Sequence, residues 1–141
     1  MNNREKGAQK EEQVCAYLLS MGVKIKERNF RCRQGEIDII GYEGDYLVFF
    51  EVKYRHSKSV GSAADAVGAT KQRKICRVAD YYRLIHHCNE DTPIRFDVVA
   101  IDGEDCQLIK NAFYYVPKIP HLSLRRQWIL STLKAPFKLS V

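Results

Sequence analysis

The chain has 141 residues, 45% hydrophobic and 28% charged, which suits one domain with its own core; no apolar run approaches the roughly 20 residues of a membrane-spanning helix. Five cysteines, an odd number without a C-x-x-C pair, and four histidines without metal-site spacing argue against a disulfide framework and a structural zinc site. The net charge of +6 is uneven: residues 1–113 hold 18 Lys/Arg and 17 Asp/Glu, whereas residues 114–141 hold five basic residues and no acid. Total charge is therefore weak grounds for nucleic-acid binding by the body of the chain.

The charged N-terminus, MNNREKGAQKEEQ, lacks the apolar stretch of a signal peptide, so a cytoplasmic location is expected. Residues 5–21 are predicted to be a helix, with Val14, Tyr17, Leu18 and Met21 at helical spacing and Gly22 as its stop. A strand is expected over 23–30. Two β-rich runs follow, 36–41 and 46–54, and Gly44-Asp45 makes them a hairpin. A polar loop, 55–65, leads to a second helix over 66–87, with Ile75, Val78, Ala79, Tyr82 and Ile85 on one stripe. Asp91-Thr92-Pro93 breaks it, and strands over 94–101 and 106–110 complete the order α-β-β-β-α-β-β. The expected fold class is α/β, a mixed central sheet flanked by helices. Residues 1–113 form the domain, and 114–141 read as a basic C-terminal extension, with one short helix at 122–133 carrying Leu122, Trp128, Ile129 and Leu133.

The chemical signal is G-E-I-D-I-I at 35–40 followed by F-F-E-V-K-Y-R at 49–55. Side chains two apart on a strand share a face, so Glu51 and Lys53 lie together, and Glu36 and Asp38 lie together, with Ile37 and Ile39 on the opposite face. A turn at Gly44-Asp45 brings Asp38 close to opposite Glu51. Two carboxylates so close repel unless a cation joins them, and hard Mg²⁺ or Mn²⁺ suits oxygen ligands. Asp38 and Glu51 are the expected metal ligands, with the Val52 backbone carbonyl between them. Lys53 is expected to position a water or neutralise a phosphate.

Two charged residues end apolar helix stripes: Glu11, a candidate metal ligand, and Lys71, a candidate phosphate contact with Gln72 beside it. Arg28, Arg31 and Arg33 before the acids, Arg55 after them, and Arg73 and Lys74 on the second helix are candidate nucleic-acid contacts, set against an ordinary solvated face. Phe30 and Tyr54 could stack on bases, though burial is the stronger expectation. Asp97, on a central strand, is expected to orient a lysine or arginine.

G-x-x-x-E at 7–11, R-N at 28–29, the two acidic motifs, A-V-x-x-x-K at 66–71, R-F-D-V-V-A-I at 95–101 and I-K-N-A-F at 109–113 resemble the YraN-like family of uncharacterised bacterial proteins, over about residues 4–113. That resemblance implies a restriction-endonuclease-like fold of the PD-(D/E)xK superfamily, with a site at Asp38, Glu51 and Lys53 assisted by Glu11. The order is also similar to that of archaeal Holliday-junction resolvases, which implies branched or junction DNA as substrate. The leading expectation is a Mg²⁺- or Mn²⁺-dependent DNA endonuclease. The alternatives are a non-catalytic nucleic-acid-binding module and a DNA-processing partner whose C-terminal extension docks a protein, with a homodimer left open.

Overall fold

The computed structural model describes residues 2–55 and 67–118. Helix α1 (Asn3–Ser20) starts at a capping box: the Asn2 side chain accepts the Arg4 and Glu5 N–H groups, and the Glu5 carboxylate accepts the Asn2 N–H at 2.9 Å. Strands β1 (Lys24–Cys32), β2 (Gly35–Glu43) and β3 (Tyr46–Tyr54) follow as an antiparallel meander. The β2–β3 turn falls at Gly44-Asp45, and Gly44 takes the positive φ of 58° that the tight turn demands. Helix α2 (Ala69–Ile85) precedes β4 (Ile94–Asp102), which pairs parallel with β3; β5 (Asp105–Phe113) returns antiparallel. The result is a mixed five-stranded sheet in the order β1-β2-β3-β4-β5, with the expected element order α-β-β-β-α-β-β.

The two helices cover opposite faces of the sheet. Val14, Cys15 and Leu18 of α1 pack on Ile39, Val48, Phe50, Val99 and Ile101. Ile75, Cys76, Val78, Ala79 and Tyr82 of α2 pack on Ile37, Ile40, Leu47, Phe49, Phe96 and Val98. β3 thus alternates cleanly between the two cores, as an interior strand with both faces covered should. The stripes differ from expectation at their ends. Met21, the C-cap of α1, and Ile85, the last residue of α2, are exposed, and Cys15 and Cys76 are buried.

β2 departs from simple alternation. Ile37 faces the α2 core and Ile39 the α1 core, although regular pleating would give them one face. The residue between them is Asp38. Opposite it, Asn29 adopts φ 50°, while the neighbouring pairs Arg28↔Ile39 and Phe30↔Ile37 are kept. A left-handed residue locally re-aims the strand, and asparagine tolerates that conformation. β1 and β2 also carry a bulge between Ile25 and Glu27, opposite Gly41. A Cβ at Gly41 would lie 2.7 Å from the Lys24 carbonyl oxygen, so only glycine fits there.

β5 outruns its expected end at 110. Lys110 and Asn111 break the apolar pattern, and a register shift between Phe96 and Val98 absorbs Asn111 (φ 52°) so that Phe113 still pairs with Phe96. Fully buried Asp97 accepts two hydrogen bonds from Arg95, at 2.8 and 2.7 Å, and the Asn111 N–H at 2.9 Å. Arg95 also pairs with Glu43, which takes Lys110 at 2.5 Å. Asp97 therefore orients an arginine, as expected of a structural acid. Beyond β5, residues 114–118 lie along α2: Arg77 donates to the Tyr115 hydroxyl and the Val116 carbonyl, and the Val116 N–H donates to Cys76 Sγ at 3.3 Å. α2 is shorter at both ends than the expected 66–87, since Val67 and Gly68 lie before it and His86 and His87 form a turn after it. Residue 66, most of the expected loop 55–65 and the expected helix at 122–133 lie outside the described residues.

Candidate active site

The β2/β3 ladder runs from Glu43↔Tyr46 to Ile39↔Phe50 and stops there. Continued by one pair, it sets Asp38 against Glu51. At that point the side chain of Asp38 replaces the lost backbone partner, and its Oδ2 accepts the Val52 N–H at 2.7 Å. The slip in β2 makes this possible by turning Asp38 into the gap between the strands. Glu51 is buried, 6% exposed, and its Oε1 lies 2.9 Å from Lys71 Nζ and 3.7 Å from Lys53 Nζ. Asp38, Glu51, Lys53 and Lys71 are thus brought together from β2, β3 and α2.

The electrostatics follow from burial. Burial pushes the Asp38 carboxyl up to about 6, and the neighbouring Glu51 adds to the rise, while the Val52 N–H and Lys71 oppose it. The Glu51 carboxylate in turn holds the Lys71 ammonium more firmly protonated. Asp38 is the under-compensated member of the group: both lysines point at Glu51.

Asp38 also opens on the other side, into a cleft of about 240 Å³ between α1 and the sheet. Glu11, Val14 and Cys15 of α1, Arg28, Asn29 and Arg31 of β1, Glu36 of β2, and Val52 and Tyr54 of β3 line it. Glu11 therefore shares a cavity with Asp38, whereas Glu51, Lys53 and Lys71 stand toward α2. Among the described residues, no three His, Cys, Asp or Glu side chains form a metal-binding group. A cation would rest on the Asp38–Glu51 pair. Two hard oxygen donors suit Mg²⁺ or Mn²⁺, which keep waters and take substrate phosphate as further ligands, and do not suit a softer metal. Val52 touches the site through its N–H.

The expected nucleic-acid contacts divide. Arg28 and Arg31 line the cleft, tied to Glu12 at 2.6 Å and to Glu36 at 3.1 Å. Arg33 is exposed in the β1–β2 turn. Arg55 anchors the end of β3 through its N–H to the Ile101 carbonyl and, with Lys53, lines a second hollow. Gln72 ties the first turn of α2 to the chain before it, donating to the Val67 carbonyl at 2.7 Å, and Arg73 donates to Thr70 Oγ1. Lys74 is exposed. His56 and Lys58, basic residues that follow Arg55 in the sequence, lie outside the described residues.

Of the two aromatics weighed as stacking surfaces, Phe30 is buried at 7% exposure, while Tyr54 is 43% exposed at the mouth of the cleft. The expectation of burial fails for Tyr54, the last residue of β3, whose neighbours on α1 are the charged Lys10 and Glu11 and not an apolar stripe. Its ring carries the Lys10 ammonium 4.9 Å from the centroid. Lys10 and Glu36 were not apparent as site residues in the sequence. Glu36 shares a face with Asp38 and could have been noticed on that ground, but Lys10 reaches the cleft only through the packing of α1.

A family model, "Uncharacterised protein family UPF0102", matches residues 10–101. The chain is 48% identical over 113 residues to a UPF0102 protein of Lachnoclostridium phytofermentans, covering 80% of this chain and 96% of that relative. It is 45% identical to one of Shewanella loihica over 77% of this chain and 93% of the relative. It is 44% identical to one of Caldicellulosiruptor saccharolyticus over 80% of this chain and all of the relative. With the matches spanning both acidic motifs and nearly the full length of these relatives, the chain belongs to the UPF0102 family.

Proposed function

We propose that the protein is a divalent-metal-dependent DNA endonuclease that hydrolyses a phosphodiester at Asp38, Glu51 and Lys53. The observation that carries this reading is the convergence of Asp38 and Glu51 where the β2/β3 ladder opens, with Lys53 and Lys71 beside them. A buried, under-compensated carboxyl next to a second carboxylate is poorly placed for stability and well placed to bind a cation. Asp38 and Glu51 would hold Mg²⁺ or Mn²⁺, which when bound polarises the phosphate and lowers the pKa of an attacking water. Lys53, on the same face as Glu51, is placed to orient that water or to offset the charge growing on the phosphate. Lys71, beside Glu51, would add a second positive charge toward a phosphate bound there. Arg28 and Arg31 line the side by which the backbone would approach.

The order of Asp38 and Glu51-Val52-Lys53 is that of the PD-(D/E)xK nucleases, and with Glu11 it is similar to that of archaeal Holliday-junction resolvases. On that analogy, branched or junction DNA is the preferred substrate. One observation favours a second reading, a nucleic-acid-binding module without turnover: Glu51 already has two ammonium partners. A cleavage assay with Mg²⁺ and Mn²⁺ over single-stranded, duplex, flap and four-way DNA, run beside Asp38→Ala and Lys53→Ala, separates the two. Cleavage by wild type alone supports the enzyme. Binding without cleavage supports the module. Equal cleavage by wild type and both variants would sink the mechanism.

A further inference from the structure

The cleft beside Asp38 has a feature that phosphodiester chemistry does not use, a part-exposed aromatic ring with a lysine over it. Strand alternation sends Tyr54 to the α1 side, two residues beyond Val52, whose N–H fixes Asp38. The ring stands at the cleft mouth, 43% exposed. Asp38 and Glu11 line the same cleft. The ring's near cation is Lys10, on a flexible stem 4.9 Å from the ring centroid. Arg28 and Arg31 line the same cleft.

We infer that Tyr54 is the stacking platform for one unpaired nucleobase next to the phosphate at Asp38, and that Lys10 meets the phosphate of that nucleotide. This rests on the nuclease reading and narrows its substrate. A base inside a continuous duplex has both faces stacked on its neighbours and cannot lie on Tyr54. A base at a flap, a gap, a junction crossover or in a single strand has a face to give. An aromatic ring offers a π-face to any base, so the site selects for an unpaired structure and not for a sequence.

The test uses the full-length protein with Ca²⁺ in place of Mg²⁺ and two 2-aminopurine-labelled DNAs, one with the label in a flap and one within a continuous duplex. Wild type should bind the flap more tightly and quench its label by stacking. Tyr54→Leu should cut the flap-over-duplex binding ratio about tenfold and abolish the quench. Tyr54→Phe, which keeps the ring, should restore both. Lys10→Gln should reduce the salt dependence of flap binding by about one phosphate contact. If Tyr54→Leu weakened flap and duplex alike, or Tyr54→Phe behaved as Leu does, the platform would be disproved while the nuclease reading stood. If wild type bound neither DNA, the nuclease reading would fail first and the platform with it.

Discussion

Asp38 sets the terms at the scale of single residues. Its carboxyl is raised from an ordinary 3.8 to about 6, chiefly by burial, so the folded state holds the proton more tightly than the unfolded chain does. The sign follows: this group favours folding below about pH 4, and the contribution is lost as pH rises from about 4 to about 6. With a chelator present, Asp38→Asn should therefore be more stable than wild type near pH 7, by about 1–2 kcal/mol once partial solvent screening is allowed for. The gap should close near pH 4. Thermal melts across that range check it, and a variant less stable than wild type at pH 7 would contradict the burial account. The same substitution should abolish cleavage. Lys53→Ala should lower the rate by about 10²–10³-fold with a smaller effect on binding, in a single-turnover assay. The sequence showed these residues because acids and a lysine on a β-rich hairpin are conspicuous. It did not show that Tyr54 is exposed or that Lys10 reaches it, since both depend on how α1 packs across the sheet.

Strands and helices were largely legible as elements, because their patterning is strong: the Gly44-Asp45 turn, the alternation of β3 and the stripe of α2 all stand in the structure. The exceptions are backbone irregularities. The slip of β2 at Asp38 and the left-handed Asn29 opposite it leave no apolar signature, so Ile37 and Ile39 were given one face and took two. The end of β5 was hidden in the same way by Asn111. Two predictions belong here. Gly41→Ala places a Cβ 2.7 Å from the Lys24 carbonyl oxygen and should cost about 2 kcal/mol or more, measured by urea unfolding. Arg95→Met leaves Asp97 buried with only the Asn111 N–H and breaks the tie from Glu43 to β4; about 3–5 kcal/mol should be lost. Asp97→Asn combined with Arg95→Met should recover part of it, because the stranded charge is gone.

For the whole molecule, charge and domain are separable. Residues 114–141 carry five of the six net positive charges, and the cleft's own arginines are each tied to an acid. Deleting 119–141 removes four basic residues and should weaken duplex binding and flatten its salt dependence, while cleavage of saturating DNA stays near wild type. Deleting 114–141 should also lower the melting temperature by several degrees, since Tyr115 and Val116 are tied to Arg77, Asp80 and Cys76 on α2.

The parallel pairing of β3 with β4 bears on how the site comes into being. β1, β2 and β3 join through turns of a few residues, whereas Leu47 meets Ile94 across 47 positions of chain (94 − 47). Closing the short loops is entropically easier, so the meander should form first and β4 should dock late. Asp38 and Glu51 would then meet before α2 delivers Lys71. In a folding trajectory the two acids should pass through a stage of mutual repulsion without that ammonium. Removing one charge should quicken the early step: Asp38→Asn should speed refolding in chelator, and core truncations in β2 should slow it more than equivalent truncations in β4.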